Sequence, residues 1–151
     1  MSLISYPADE DRQSEAVVDP TSLSKRAARR LFQRAFVLAG RDRNVRQHIR
    51  EAHCALLWMI EDWDFAWTIF LDKGKIEFDR RPTKRPDLTL SWPTAEEFFK
   101  QVEKGSRKDD APARTGDSSV WKFAQPVYSG FCAALRQVLR DPVDENGVRL
   151  A

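Results

Sequence analysis

Residues Trp67–Gly105 read WTIFLDKGKIEFDRRPTKRPDLTLSWPTAEEFFKQVEKG, and this stretch decides the fold. Phe65–Leu71, overlapping its start, is rich in β-formers and reads as a strand. Asp72-Lys73-Gly74-Lys75 follows, with the glycine that a tight hairpin turn needs. The next strand, Lys75–Asp79, alternates Ile76 and Phe78 with Glu77 and Asp79, so one face is dry and the other wet. A basic connection, Arg80–Arg85, leads to Asp87–Ser91, which points Leu88 and Leu90 inward. Thr94-Ala95-Glu96-Glu97 is a capping box. It opens a helix whose inward face carries Phe98, Phe99 and Val102, with Gly105 as the stop.

Before this stretch, Cys54–Ile60 reads as a buried strand, and Glu61–Asp64 is turn-like. Earlier still, Ala28, Leu31, Phe32, Ala35, Phe36 and Ala39 recur at helical spacing. Ser22 or Ser24 can cap that helix, and Gly40 can end it. Arg41–His53 is polar, a short second helix or a loop. After the stretch, Ser106–Ser118 is charged, contains Pro112 and Gly116, and reads as a loop. Trp121–Phe123 reads as a short strand. Pro126–Arg140 reads as a last helix, with Val127, Phe131, Leu135 and Val138 on one face. The expected fold class is α+β: a curved, mainly antiparallel sheet of about five strands, with helices packed on one face. One domain over 21–142 is expected, between a mobile acidic tail at 1–20 and a loose end at 143–151.

A chain of 151 residues has enough length for one such core. Five Trp and nine Phe supply flat, bulky rings that either fill a core or line a cavity. The net charge of +2 gives no global argument for a nucleic-acid partner. Its distribution is uneven: −4 over residues 1–24 and +8 over residues 25–50. Cys54 and Cys132 are far apart and signal neither a disulfide framework nor a zinc site. No secretory signal is read, and the longest apolar run, Cys54–Ile60, is too short to span a bilayer. A cytoplasmic home is expected.

The chemistry-bearing residues do not assemble into a catalytic pattern. His48 and His53 flank Glu51 at the wrong spacing for a metal-binding helix. Asp62, Asp64, Asp72, Glu77 and Asp79 cluster near the hairpin, at turns and on the wet face, so solvated carboxylates are expected there rather than an acid–base pair. Ser118, Ser119 and Ser129 lack a nucleophile elbow, and no glycine-rich phosphate loop is present. The chain is therefore expected to be no enzyme, with no cofactor and no metal.

Four sequence words resemble those of the sterol carrier protein-2 family. They are Trp67-Thr68-Ile69, Asp72-Lys73-Gly74, Pro86-Asp87-Leu88-Thr89-Leu90, and Phe98–Gly105. The resemblance covers Trp67–Gly105. Where the family has a glycine-flanked strand, this chain has Val120–Pro126 without glycine. The resemblance implies a tunnel between sheet and helices that holds a lipid, sterol, acyl chain or isoprenoid-like molecule. The expected lining is Phe78, Leu88, Leu90, Phe98, Phe99, Val102, Phe123, Val127, Phe131 and Leu135. The function so implied is non-catalytic carriage or presentation of a hydrophobic small molecule. The alternative is an accessory subunit of an enzyme assembly, with the pocket filled. The basic segment Lys25–Arg50 reads first as a solvated face, then as a contact for an anionic membrane or a protein partner. Nucleic acid is disfavoured, because Phe32 and Phe36 fall on the apolar face and leave no stacking platform.

Overall fold

The computed structural model describes residues 20–104, 112–143 and Arg149. The acidic tail, the Gly105 stop and the first part of the 106–118 loop lie outside them. In chain order the elements are α1 (Lys25–Arg41), α2 (Arg43–His48), β1 (His53–Ile60), β2 (Phe65–Asp72), β3 (Lys75–Asp79), β4 (Leu88–Trp92), α3 (Ala95–Lys104), β5 (Ala113–Gly116) and α4 (Trp121–Arg140).

The strands form one five-stranded sheet in the order β3-β2-β1-β4-β5. β1 and β4 pair in parallel, and every other pair is antiparallel. The sheet is therefore mixed, and the α+β class expected from the sequence is what the chain adopts. Leu56, Trp58 and Ile60 of β1 share the inner face with Phe65, Trp67, Ile69 and Leu71 of β2 and with Leu88, Leu90 and Trp92 of β4. The buried faces of α1, α3 and α4 pack on that side of the sheet.

Local chemistry fixes the elements. Lys73 and Gly74 both have positive φ, at 50° and 94°, as the two central residues of a type I′ hairpin require. Ser24 Oγ accepts from the Ala27 N–H at 3.1 Å to start α1. Asp42 does the same for α2 through the Asn44 N–H at 2.8 Å. Thr94 Oγ1 accepts from the Glu97 N–H at 3.1 Å, and Asp62 Oδ1 from the Ala95 N–H at 2.8 Å, so two side chains cap α3. Thr68 is buried on the outer face of the sheet. Its hydroxyl donates to the Arg81 carbonyl and accepts from the Thr83 N–H, both at 2.7 Å, which ties the β3–β4 connection to β2.

Two readings are corrected. The fifth strand lies not at Trp121–Phe123 but at Ala113–Gly116, inside the segment read as loop. Gly116 has φ 121°, and a Cβ there would sit 2.6 Å from the Asp87 carbonyl oxygen. Only glycine lets β5 approach β4 so closely. Trp121–Phe123 is instead the first turn of α4, which starts at Trp121 and runs through Pro126. Val120 and Ala124 continue the buried stripe of Val127 and Phe131 backwards, so burial of that face selects helix. Pro126 removes one ladder donor but does not stop the helix. In the segment read as a loose end, Val143 and Arg149 form an antiparallel bridge.

Candidate functional site

Between the sheet and the helices lies a layer of rings. Phe32 of α1 sits at its centre, with centroids 5.8 Å from Phe65, 5.3 Å from Trp67, 5.4 Å from Phe98 and 5.9 Å from Phe131. Phe36, one turn on, stacks on Phe131 at 4.3 Å and meets Trp58 edge-on at 5.1 Å. Trp58 in turn meets Trp92 at 5.6 Å and Phe131 at 5.0 Å. Such offset and edge-on pairs each add to plain area burial.

The residues expected to line a tunnel largely converge on this layer. Leu88 and Leu90 enter from β4, Phe98, Phe99 and Val102 from α3, and Val127, Phe131 and Leu135 from α4, all buried. Phe78 of β3 reaches the layer half-buried, with its ring 5.5 Å from Phe36. Phe123 lies half-buried at the margin, where Lys122 Nζ stands 5.0 Å over its ring. Leu90, Phe98, Val127, Phe131 and Leu135 have no exposed surface at all. No space large enough for water touches these five side chains.

The lining expected from the sequence leaves out the centre of the layer, which is Phe32, Phe36, Trp58, Trp67 and Trp92, although Phe32 and Phe36 read as part of an apolar helix face and Trp58 as part of a buried strand. The signal was available in the Phe32/Phe36 pair at i, i+4 and in the alternation of Leu56, Trp58 and Ile60. Half-buried Leu57 and Met59 on the outer face turned β1 into an unbroken apolar run and hid that alternation.

Polar groups within the layer divide in two. Trp92 Nε1 donates to Gln101 Oε1 at 2.9 Å, and the Tyr128 hydroxyl donates to the same oxygen at 2.9 Å. One amide oxygen on α3 thus latches β4 to α4. Arg136 Nη1 on α4 also donates to the Val102 carbonyl of α3, at 2.7 Å. In contrast, the buried indole N–H groups of Trp58 and Trp67 have no hydrogen-bond partner among the described residues. These two residues face each other across β1 and β2, with centroids 5.9 Å apart.

The groups that could do chemistry are held otherwise. Burial pushes the Cys132 thiol up to about 12 and the Cys54 thiol, with help from the Asp87 charge, up to about 11. Both are free thiols, protonated at neutral pH. His48 Nδ1 lies 2.7 Å from the Asn44 carbonyl oxygen, and His53 Nδ1 lies 3.3 Å from Asp72 Oδ1, both at the surface. Asp79 is held below the usual carboxylate range, first by the Arg81 backbone N–H. Among the described residues no group of three or more His, Cys, Asp or Glu is placed to hold a metal. None of the described helices is long and apolar enough to cross a membrane.

The basic segment splits into two clusters. Arg26, Arg29, Arg30 and Gln33 of α1 border a hollow of about 270 Å³ with Arg80. Arg29 lays its guanidinium 5.0 Å over the Phe65 ring. Arg43, Arg46 and Arg50 border a second hollow, of about 410 Å³, with Lys73 and Lys75 of the hairpin.

No family model matches the chain, and no curated protein does. Among solved structures, the chain is similar to one described as UbiJ-SCP2 Ubiquinone synthesis protein, at 11% identity and a TM-score of 0.45, covering 69% of this chain and 87% of that one. It is similar to a conserved hypothetical protein from Thermus thermophilus whose description suggests a sterol carrier protein, at 10% identity and a TM-score of 0.49, covering 71% and 85%. It is also similar to part of the sec-alkylsulfatase Pisa1 from Pseudomonas sp., at 14% identity and a TM-score of 0.42, covering 56% of this chain and 14% of that one.

Proposed function

We propose that the protein is a non-catalytic binder of a hydrophobic small molecule. The molecule is held between the sheet and helices α1, α3 and α4, for transfer or for presentation to another protein. The observation that carries this reading is the pair of unpartnered indole donors on Trp58 and Trp67. A buried donor left without an acceptor costs about 1–3 kcal/mol, and native cores keep few of them. The same layer supplies an acceptor for Trp92, so the fold is able to satisfy an indole where it needs to. A guest with a carbonyl or hydroxyl oxygen on an apolar body would satisfy the other two. Acyl, sterol and isoprenoid-like molecules all meet that description.

The energetics suit a carrier. Rings displaced from one another lose apolar contact, and a greasy guest filling the gap restores it at roughly 25 cal/mol per Å². That attraction is non-directional, so size and the indole donors would set selectivity. The four sequence words over Trp67–Gly105 support the same reading through the family they resemble. Thiols protonated by burial, and the Asp42, Asp62, Asp79 and Asp117 carboxylates committed to backbone N–H groups at caps and turns, support a role without catalysis. Free Cys54 and Cys132 suit a reducing, cytoplasmic compartment.

A second reading is favoured by a different observation, the complete burial of Leu90, Phe98, Val127, Phe131 and Leu135. In that reading the layer is a permanent core and the fold is an accessory subunit that docks a partner protein. Native mass spectrometry of gently purified protein separates the two. The carrier reading predicts a non-covalent, lipid-like added mass, and displacement of that mass by a fluorescent fatty acid or isoprenoid probe. Ligand-free protein that ignores both probes would sink it and leave the accessory reading.

A further inference from the structure

The hollow beside the hairpin is built from two elements that the backbone locks together. Lys73 N–H donates to the Ala52 carbonyl at 2.8 Å, and Gly74 N–H donates to the Ile49 carbonyl at 3.0 Å. These bonds hold the β2–β3 turn against the connection between α2 and β1. Arg43 and Arg46 lie on one face of α2 at i, i+3, and Arg50 follows the helix. With Lys73 and Lys75 they place five cationic side chains around about 410 Å³, alongside Gln47.

None of these five cations makes an ion pair among the described residues. Two nearby carboxylates are engaged elsewhere. Asp42 accepts from the Asn44 N–H, and Asp72 lies against His53 Nδ1. Glu51, next to Arg50, makes no ion pair among the described residues. Like charges gathered in a concave site raise its potential well above that of a spread basic face and draw in a compact anion. No aromatic ring borders the hollow, so it offers no platform for bases.

We infer that this hollow is a binding site for a phosphomonoester or diphosphate group, carried by a small ligand or by a lipid headgroup. Arg43, Arg46 and Arg50 supply forked donors that fit phosphate oxygens, and Lys73 and Lys75 supply point charges. The site is separate from the ring layer and does not depend on what that layer holds.

The test uses the whole chain, isotope-labelled, titrated with inorganic pyrophosphate and followed by amide resonances. In parallel, it is floated with vesicles of phosphatidylcholine alone or with phosphatidic acid. Expected are shifts centred on Arg46, Arg50 and the Lys73–Lys75 turn, or flotation that needs phosphatidic acid, in either case weakened by salt. Pyrophosphate binding without flotation assigns a free phosphorylated ligand, and flotation without pyrophosphate binding assigns the headgroup. Arg46→Glu with Lys73→Glu should weaken the interaction about tenfold or more, equivalent to about 1.4 kcal/mol. Both positions are exposed, so thermal unfolding and uptake of a fatty-acid probe should be unchanged. Absence of both interactions, or equal binding by the double variant, would overturn the inference.

Discussion

Trp58 of β1 lies directly opposite Trp67 of β2, both wholly buried, and neither indole N–H has a hydrogen-bond partner among the described residues. If a guest oxygen is their acceptor, then Trp58→Phe with Trp67→Phe should still bind a hydrocarbon chain. What it should lose is preference. The discrimination between a long-chain alcohol and the matching alkane is expected to fall about tenfold, for a net hydrogen bond of about 1 kcal/mol or slightly more. Competition binding against a fluorescent probe measures the ratio.

Gln101 is the latch of the layer, since one oxygen accepts from both Trp92 and Tyr128. Gln101→Leu keeps the apolar volume and strips the acceptor. The buried Trp92 Nε1 then loses its acceptor and the Tyr128 hydroxyl loses this bond, so stability should drop by about 1–3 kcal/mol in urea unfolding. Uptake of an apolar probe should become faster, because β4 and α4 are no longer tied through α3. Uptake at the wild-type rate would show that the layer opens elsewhere.

Cys132 gives the protein an alkaline signature. Its thiol stays protonated in the fold up to about 12, whereas the unfolded chain loses that proton near the ordinary value of 9.0. The unfolded state therefore binds fewer protons between those values. Stability is undiminished below pH 9 and declines as pH rises towards 12, by at most about 1.4 kcal/mol per pH unit from this group. Cys54 acts in the same direction, up to about 11. Cys132→Ala should flatten the decline in urea midpoints above pH 9, and an unchanged slope would locate it in other groups.

Gly116 is where β5 meets β4. Gly116→Ala would place a methyl group 2.6 Å from the Asp87 carbonyl oxygen, at φ 121°. The same oxygen accepts the Asp117 N–H at 2.8 Å, so the clash also breaks that bond. A loss of about 2 kcal/mol or more is expected. Hydrogen exchange should quicken along Ala113–Gly116 before it quickens along β1.

The legible parts of this fold are those written in local chemistry. Asp72–Lys75 declares its turn through Gly74, and Thr94 declares α3 through its own hydroxyl. β5 declares nothing, because Ala113-Arg114-Thr115-Gly116 has no apolar alternation and exists as a strand only through pairing with β4. Trp121–Phe123 misleads for the opposite reason. Its bulky rings favour a strand, and the helix is selected by the distant burial of Val120 and Ala124. The candidate site was half legible. Phe98, Phe131 and their neighbours were readable as inward faces, but which rings meet is set by the order β2-β1-β4. That order brings Trp67, Trp58 and Trp92 side by side from separate parts of the chain.

The most direct measurement is the indole N–H resonances of Trp58 and Trp67, assigned through single Trp→Phe variants and followed while palmitic acid or farnesol is added. The carrier account predicts that both resonances move to positions typical of a hydrogen-bonded indole and saturate together with ligand binding, while that of Trp92, already bonded to Gln101, moves little. Resonances of Trp58 and Trp67 that stay in place at saturating ligand would contradict it.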